Sequence, residues 1–487
     1  MSLIVGDMVA WREQPRAEHL AVLSEAVPER WLGAAVALAR RPGQRWRKLP
    51  LSTVLLLVLA MSLYTQDALA VAYGRLVGGL HRWHTPTDPG LVSRSAICQG
   101  RARLGVRPLA ALFHQVAQPL ATPETAGVFL WGLRLLALDG TKEVVPDTPA
   151  NARIFGRPSN QRGDAAYPQV LGVYLVEVGT HAVLNAGFWP CRTSEHLGGR
   201  RLRRSLPSTA LLLMDAGFYS CAVLARTQAR GAQVLGRFPA GVGLRLARTL
   251  PDGTVLGWVY PSEAARRQGR DGQLVPVLTY QLTDPARPHA REVQRLVTTL
   301  LDPAAYPAHD LIWVYHERWE VELTIDELDT HQRLAQHPLR SQTPLGVLQE
   351  LYGLLVVHYA LRSLMLAAAL TRGVDPDRVS FTRTVHLVTT SLPEFQVSPP
   401  AAWPSLRALL LADITASLLP PRAQRSNPRV IKWQRSKFAR KRPEHRGLPP
   451  LATSFRQAIA LIPAPAIPLP ITPFLRHSPP PVLPVRP

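Results

Sequence analysis

Two short stretches constrain this chain more than anything else in it. In LLALDGT, Leu135 to Thr141, an apolar run climbs into an aspartate and a glycine, and LLLMDAGF, Leu211 to Phe218, repeats the pattern. A short apolar run bounded by turn residues reads as a buried strand. One such strand ending in Asp means little, because Asp commonly caps the turn that follows. Two of them in one sheet can bring two carboxylates side by side. Like charges that close raise each other's pKa unless a cation neutralises them. Hard carboxylate oxygens suit Mg²⁺ or Mn²⁺.

The texture around the two runs changes along the chain. Residues 1–125 show apolar positions at helical spacing and no strand pattern, which predicts a helical module with Arg-rich connections such as RRPGQRWRK, Arg40 to Lys48. Ser93 or Ser95 is placed to cap one of its helices. From about 131 short strands take over, with Leu133–Leu138 ending at Asp139, a β-hairpin over 169–189 split at Gly179-Thr180, and Leu211–Met214 followed by a helix from about Ser220 to Gly231. A β-rich stretch covers about 235–305, and helical spacing returns at Leu311. Strands, a β-rich insertion and then helices give a mixed α/β or α+β core. The expected divisions are a helical domain over 1–125, a core over 126–370, a basic helical region over 371–445 and a Pro-rich, disordered or extended tail over 446–487.

Charge narrows the partners. Lys plus Arg number 56 against 34 Asp plus Glu, a formal net charge of +22, and a protein this basic needs anionic company. Much of the excess is clustered: Arg425, Arg429, Lys432, Arg435, Lys437, Arg440 and Lys441 surround Trp433 and Phe438, a mixture suited to a nucleic-acid backbone. Three cysteines without a C-x-x-C pair argue against a disulfide scaffold or a zinc site and fit a reducing cytosol. Leu51–Tyr64 is too short for a membrane span, and Leu351–Leu370 carries His358 and Arg362 mid-run, so both read as buried helices of a soluble protein.

A metal site built on two aspartates needs a third acid. WVYHERWEVELTIDELDTHQRL, Trp313 to Leu334, reads as one helix with Tyr315, Arg318 and Glu322 along one face and Val321, Ile325 and Leu328 along a buried one. The plainer alternative is a Glu-rich surface helix with an Arg318–Glu322 pair. Here the chain resembles DDE-type transposases of bacterial insertion sequences, specifically the insertion-sequence-four (IS-four) family, which carries a Tyr-x2-Arg-x3-Glu-x6-Lys signature. Tyr315, Arg318 and Glu322 match it, Asp139-Gly140-Thr141 resembles the first catalytic Asp motif, and Asp215-Ala216-Gly217-Phe218 the second. The resemblance covers roughly residues 15–440. The final signature Lys is Asp329 here, and His331 or Arg333 stands nearby as a substitute cation.

The resemblance implies an RNase H-like core with a β-rich insertion. Asp139 would sit on the first core strand, Asp215 on the fourth and Glu322 on a helix. These three acids would hold two Mg²⁺ or Mn²⁺ ions for phosphodiester cleavage and strand transfer, with Tyr315 and Arg318 binding phosphates near the cut. The implied partners are double-stranded DNA, as terminal inverted repeats and target, and a second copy of the chain in a homodimer, acting in the bacterial cytoplasm at the nucleoid. A repurposed, catalytically impaired copy acting as a DNA-binding repressor is the alternative, with Asp329 as its support. Glu195 is either a supporting acid or a salt-bridge partner of Arg200 or Arg201. Arg153, Arg157 and Arg162 lie on a loop, Asn151 to Gly163, that follows the first catalytic strand and is placed to meet DNA. Trp258 and Trp313 read as sheet or core residues before stacking platforms for a flipped base, and His358 as a core histidine.

Overall fold

A computed structural model describes residues 20, 22–40, 49–77, 92–160, 163–285, 292–333, 338–421 and 453–462. Most of the basic loop at 40–48, Arg162, the basic run with Arg429 and Lys432, and the last 25 residues lie outside them. The chain begins with helices α1 (Glu29–Ala37), α2 (Leu51–Leu63), α3 (Leu69–Val77), α4 (Arg94–Leu104) and α5 (Arg107–Val116). The β1 pair of residues (Phe129–Leu130) precedes strand β2 (Leu133–Val144), helix α6 (Pro149–Phe155), the β3 (Ser159–Asn160) and β4 (Gly163–Asp164) ribbon, hairpin strands β5 (Gln169–Glu177) and β6 (Ala182–Pro190), and helix α7 (Glu195–Leu202). Next come β7 (Ala210–Met214), α8 (Cys221–Gln228), β8 (Gln233–Arg237), β9 (Arg245–Thr249), β10 (Val255–Val259), α9 (Glu263–Gln268), β11 (Gln273–Leu282) and β12 (Gln294–Thr298). The chain finishes with helices α10 (Ala308–His316), α11 (Trp319–Asp326), α12 (Pro344–Arg372), α13 (Phe381–Val397) and α14 (Trp403–Thr415), then strand β13 (Ile459–Leu461).

These elements form two compact units. One contains residues 1–132, 137–205 and 319–419; the other contains 133–136, 206–318 and 420–487. Strand β2 contributes its first four residues to the second unit and the remainder to the first.

The first unit is built on apolar helices that are buried almost all round. Helix α2 buries every residue except Ser52, as expected for a run with no polar face. Helix α12 starts at the Thr343 cap, whose hydroxyl accepts from Gly346 N at 3.2 Å, has Pro344 in its first turn, and stops at Gly373 with φ +61°. It is apolar and long enough to cross a membrane by length alone, yet most of it is buried in protein. A Cβ on its Gly353 would meet Ser62 Oγ at 2.8 Å and Val58 Cγ1 at 3.0 Å, so the glycine is what lets α2 and α12 approach closely. Arg101 on α4 is buried against the same helix, donating from Nε to Gln349 Oε1 at 3.0 Å and from Nη2 to Gly346 O at 2.8 Å, and is spent inside the protein rather than on a ligand. Ser93, of the two caps expected, caps α4 by accepting from Ala96 N at 3.1 Å.

In the first unit the strand order is β6-β5-β2, with β5 and β6 an antiparallel hairpin turning at Val178–Thr180, as expected from the sequence. In the second unit the first residues of β2 are followed by β7-β8-β12-β11-β10-β9. The β7–β8 pair is parallel, with Met214 opposite Gly236, and the strands beyond β8 pair antiparallel. Strands β9 to β12 are the β-rich insertion expected over 235–305. The fold is therefore mixed α/β with a large mixed sheet and a helical N-terminal region. In chain order the core strands are β2, β5, β6, β7 and β8, so Asp139 lies on the first and Asp215 follows the fourth.

The structure corrects three expectations. Strand β2 does not end at Asp139; it runs on through Gly140 to Val144. The stretch 313–334 is not one helix, because α10 stops at His316, Glu317–Arg318 form a turn, and α11 then gives way to a π-helical turn over Glu327–Gln332. Part of the expected Pro-rich tail is a strand, since β13 pairs antiparallel with β11, Ile459 opposite Leu282. The segment Pro463–Pro487 lies outside the described residues.

Candidate active site

Asp139 occupies the middle of β2, and its Oδ1 accepts from Gly140 N at 2.8 Å. Leu135, Leu136, Ala137 and Leu138 before it are fully buried, so the carboxylate is carried by a strand that cannot shift without opening the core. Gly140 does not turn the chain; it makes room. A Cβ there would stand 3.0 Å from Glu195 Cγ, 3.2 Å from Glu195 Cδ and 3.2 Å from Gly172 O. The first residue of α7 is thus packed against the residue next to Asp139. Residues 139, 141 and 143 share one face of β2, and Glu143 is buried. Glu322 lies on α11, half-buried. Among the acids of that helix the buried one is Glu320, not Glu322.

Asp215 directly follows β7 with extended backbone and precedes a 3-10 turn over Ala216–Phe218, so here the strand does end on its acid. The parallel register that sets Met214 against Gly236 brings Arg237 to the neighbouring position. Tyr315 on α10 donates its hydroxyl to Met214 O at 3.3 Å. Burial pushes its phenol above the ordinary range; Asp215 adds to the rise, and Arg318 and Arg237 oppose it. Tyr315 is therefore a permanent hydrogen-bond donor at neutral pH, and it feels the charge of Asp215, Arg318 and Arg237 together.

Asp329 stands on the π-helical turn, and burial, then Glu143, push its carboxyl well above the usual range, with a hydrogen bond to Glu143 adding to the shift. Arg333 pairs with Glu143 and lies 3.9 Å from Asp329. Asp329 thus sits beside the Glu143–Arg333 ion pair, with burial and Glu143 raising its carboxyl and Arg333 opposing the rise.

Among the arginines expected to meet DNA, Arg153 is exposed on α6. Arg157 braces its own loop, donating to Ala165 O at 3.2 Å and to Ala166 O and pairing with Asp147. Arg429 and Lys432 fall outside the described residues. Trp313 lies on α10 with the Arg456 guanidinium 6.0 Å from its ring centroid, and Trp258 lies on β10, paired with β11. His358 is fully buried and bonds Glu327 Oε2 at 3.1 Å, as a core histidine should. Sequence reasoning missed Arg237 and Glu143. A strand continued beyond Asp139 would have put Glu143 on the aspartate's own face.

Comparison with known proteins bears on the same residues. Residues 17–114 match the model for the insertion element 4 transposase N-terminal region, and residues 130–359 match the model for a transposase DDE domain. Transposase InsG for insertion sequence element IS4 of Escherichia coli (strain K12) is 30% identical over 402 residues, covering 81% of this chain and 88% of that protein. This chain belongs to the IS4 family of transposases. A second relative of this IS4-family chain, the putative transposase InsZ of the same organism, is 25% identical over 284 residues, 56% of this chain and 88% of that protein. A solved piggyBac transposase synaptic complex with hairpin DNA aligns with 13% identity and a TM-score of 0.39 over 82% of this chain and 83% of that one. As an IS4-family member the chain is a DDE transposase, a metal-dependent enzyme acting on DNA.

Proposed function

We propose that Asp139, Asp215 and Glu322 are the catalytic acids of this transposase, and that they serve cleavage at insertion-sequence ends and strand transfer into target DNA. The observation that supports this most is the grouping of Asp215 with Tyr315, Arg318 and Arg237 at the end of β7. It joins one expected catalytic acid to the two signature residues expected to bind phosphate. Each of the three acids would offer only hard carboxylate oxygens, the ligands that Mg²⁺ or Mn²⁺ prefers, and together they would hold two such ions. When bound, such ions supply a polarised water or 3′-hydroxyl and neutralise the leaving oxygen. Arg318 and Arg237 hold the phosphate beside the scissile bond, and Tyr315, kept protonated, donates a hydrogen bond to it. Arg153, Arg429 and Lys432 contact the DNA backbone outside the cut.

Asp139→Ala, Asp215→Ala and Glu322→Ala are each expected to lower end cleavage with Mg²⁺ by at least about 10³-fold, the scale of losing one indispensable catalytic group. Binding to end DNA should stay within a few-fold. Full cleavage by any one of the three would remove that residue from the site. We further propose that two copies bridge two ends. Light scattering of the protein with end DNA should give two chains per complex.

A further inference from the structure

The buried face of α11 carries one apolar side chain. Its buried residues are Glu320, Val321 and Thr324, so two of the three are polar. A stripe of apolar side chains at helical spacing usually fixes how a helix is rotated about its own axis. This helix has eight residues, with a turn at Glu317–Arg318 before it and a π-helical turn after it. It therefore takes no rotation from a longer helix on either side. Another constraint must set the direction in which Glu322 points.

A chain of hydrogen bonds supplies it. Arg362 on α12 places Nη2 against both Glu327 Oε1 and His181 Nδ1. A guanidinium only donates, and Nη2 has two protons, one for each acceptor. His181 Nδ1 therefore accepts, and its ring proton is on Nε2, from which it is donated to Glu320 Oε2. Asp377 Oδ1 stands 3.6 Å from the same nitrogen, beyond hydrogen-bond range. Arg362 Nε donates to Glu327 Oε2 at 2.9 Å, and His358 Nε2, also on α12, lies 3.1 Å from that oxygen. Glu320 and Glu327 are seven residues apart, close to two helical turns, so both lie on the face turned to α12. His181, Glu320, Glu327, His358 and Arg362 are all buried, and all belong to the first unit. His181 takes a left-handed backbone, φ +57°, directly after the 3-10 turn between β5 and β6. That conformation is uncommon outside glycine and persists where the surroundings over-determine it. Bonds at both ring nitrogens do so here.

We propose that Glu320 and His181 are positioning residues which, through Arg362, fix the rotation of α11 and so the direction of Glu322. The inference rests on the reading of Glu322 as a catalytic acid. Glu322 lies two residues beyond Glu320, about 200° round the helix. Holding one face of α11 to α12 thus turns Glu322 to the other side. Side chains end about 5–6 Å from a helix axis, so a rotation of about 10° moves the Glu322 carboxylate by about 1 Å. A displacement of that size costs about 10²-fold in rate. Loss of an outer partner that orients a metal ligand costs about 10–100-fold in metal affinity or activity.

The test compares full-length Glu320→Gln and Glu320→Leu bound to end DNA. Glutamine keeps an oxygen to accept from His181, and leucine does not. Mn²⁺ affinity is read from the electron paramagnetic resonance signal of the free ion, independently of turnover, and cleavage is read in single-turnover assays. Glu320→Gln should stay within a few-fold of the wild type in both. Glu320→Leu should bind Mn²⁺ about 10–100-fold more weakly and cleave about 10²-fold more slowly. Its affinity for end DNA should stay within a few-fold and its far-UV dichroism spectrum should not change. Wild-type Mn²⁺ affinity in Glu320→Leu, or a Glu320→Gln as impaired as Glu320→Leu, overturns the proposal. Glu322→Ala distinguishes the two levels of the reading. Full cleavage by Glu322→Ala removes the acid from the site, and the positioning falls with it. An inactive Glu322→Ala beside a Glu320→Leu with wild-type affinity and rate overturns the positioning alone. Should Glu320→Leu not fold, His181→Gly decides by the same measurements, because glycine suits φ +57° and only the ring is lost. A His181→Gly that also fails to fold overturns the proposal, since the network would then hold up the fold rather than aim the acid.

Discussion

Replacing Gly140 with alanine should slow cleavage while barely unfolding the protein. The new methyl would stand 3.0 Å from Glu195 Cγ and 3.2 Å from Gly172 O, both inside ordinary van der Waals contact. Glu195 can swing aside at its far end, but Gly172 O belongs to the β5 backbone and cannot. The strands must therefore separate by a few tenths of an ångström at the residue beside Asp139. Overpacking of this kind costs about 1–3 kcal/mol. Alanine offsets about 0.5–1 kcal/mol of that by restricting the unfolded chain. The expected net is a destabilisation of roughly 1–2 kcal/mol, read as a thermal midpoint lowered by roughly 2–4 °C. An error of about 1 Å in positioned groups costs about 10²-fold in rate, so a shift of a few tenths should cost about tenfold in single-turnover end cleavage. Glu195→Ala in the same background should recover the part of the loss that comes from the side chain and leave the part that comes from Gly172 O, which a double-mutant cycle separates. Unchanged cleavage and unchanged stability in Gly140→Ala would refute the packing of α7 on β2. Full recovery by Glu195→Ala would refute the role of the strand backbone.

Two further predictions concern buried charge. Burial alone would raise the Glu327 carboxyl, but Arg362 and His181 overcome it and hold it well below its ordinary 4.5. The stability this contributes is present above pH 4.5 and is lost as pH falls toward the depressed value. Glu327→Gln should lower unfolding stability at pH 7 by about 3–5 kcal/mol, the cost of leaving Arg362 buried without its anion, and erase that acid limb in urea titrations. Asp329 has the opposite sign. Its raised pKa means that stability is full below pH 3.8 and is lost as pH rises through the folded value. Asp329→Asn keeps a donor for Glu143 and should flatten that decline, and an unaltered pH profile would show that the proton is not held there.

Much of the fold was legible because its signals are local. Apolar runs of four to six residues gave β2 and β7, alternation gave the β5–β6 hairpin, and a serine ahead of an apolar segment gave the α4 cap. Asp139 and Asp215 stood out because each follows a short apolar run, whereas Glu322 was singled out by the family signature and not by helical spacing. The break at Glu317–Arg318 was not readable: neither residue is Gly or Pro, and the apolar spacing runs across it without a fault. Glu320 and Glu327 look like solvated positions on a Glu-rich helix, because the histidine that burials them requires lies 139 and 146 residues away in the chain. Ile325, expected inside, is only half-buried, and Thr324 and the two glutamates take the buried face instead. Partner identity over such distances leaves no periodic trace.

The continuation of β2 past Asp139 also divides labour between the two aspartates. Thr141 to Val144 lie in strand, so the backbone on both sides of Asp139 is laddered, and local opening there would mean breaking the sheet. Asp215 instead leads into a single 3-10 turn, Ala216–Phe218, with Gly217 exposed. On the proposed reading the same acids would release a cut end and accept a target. If one carboxylate is to give way between those steps while the other keeps the register, amide exchange should find the slack at Ala216–Phe218 and almost none at Leu138–Thr141.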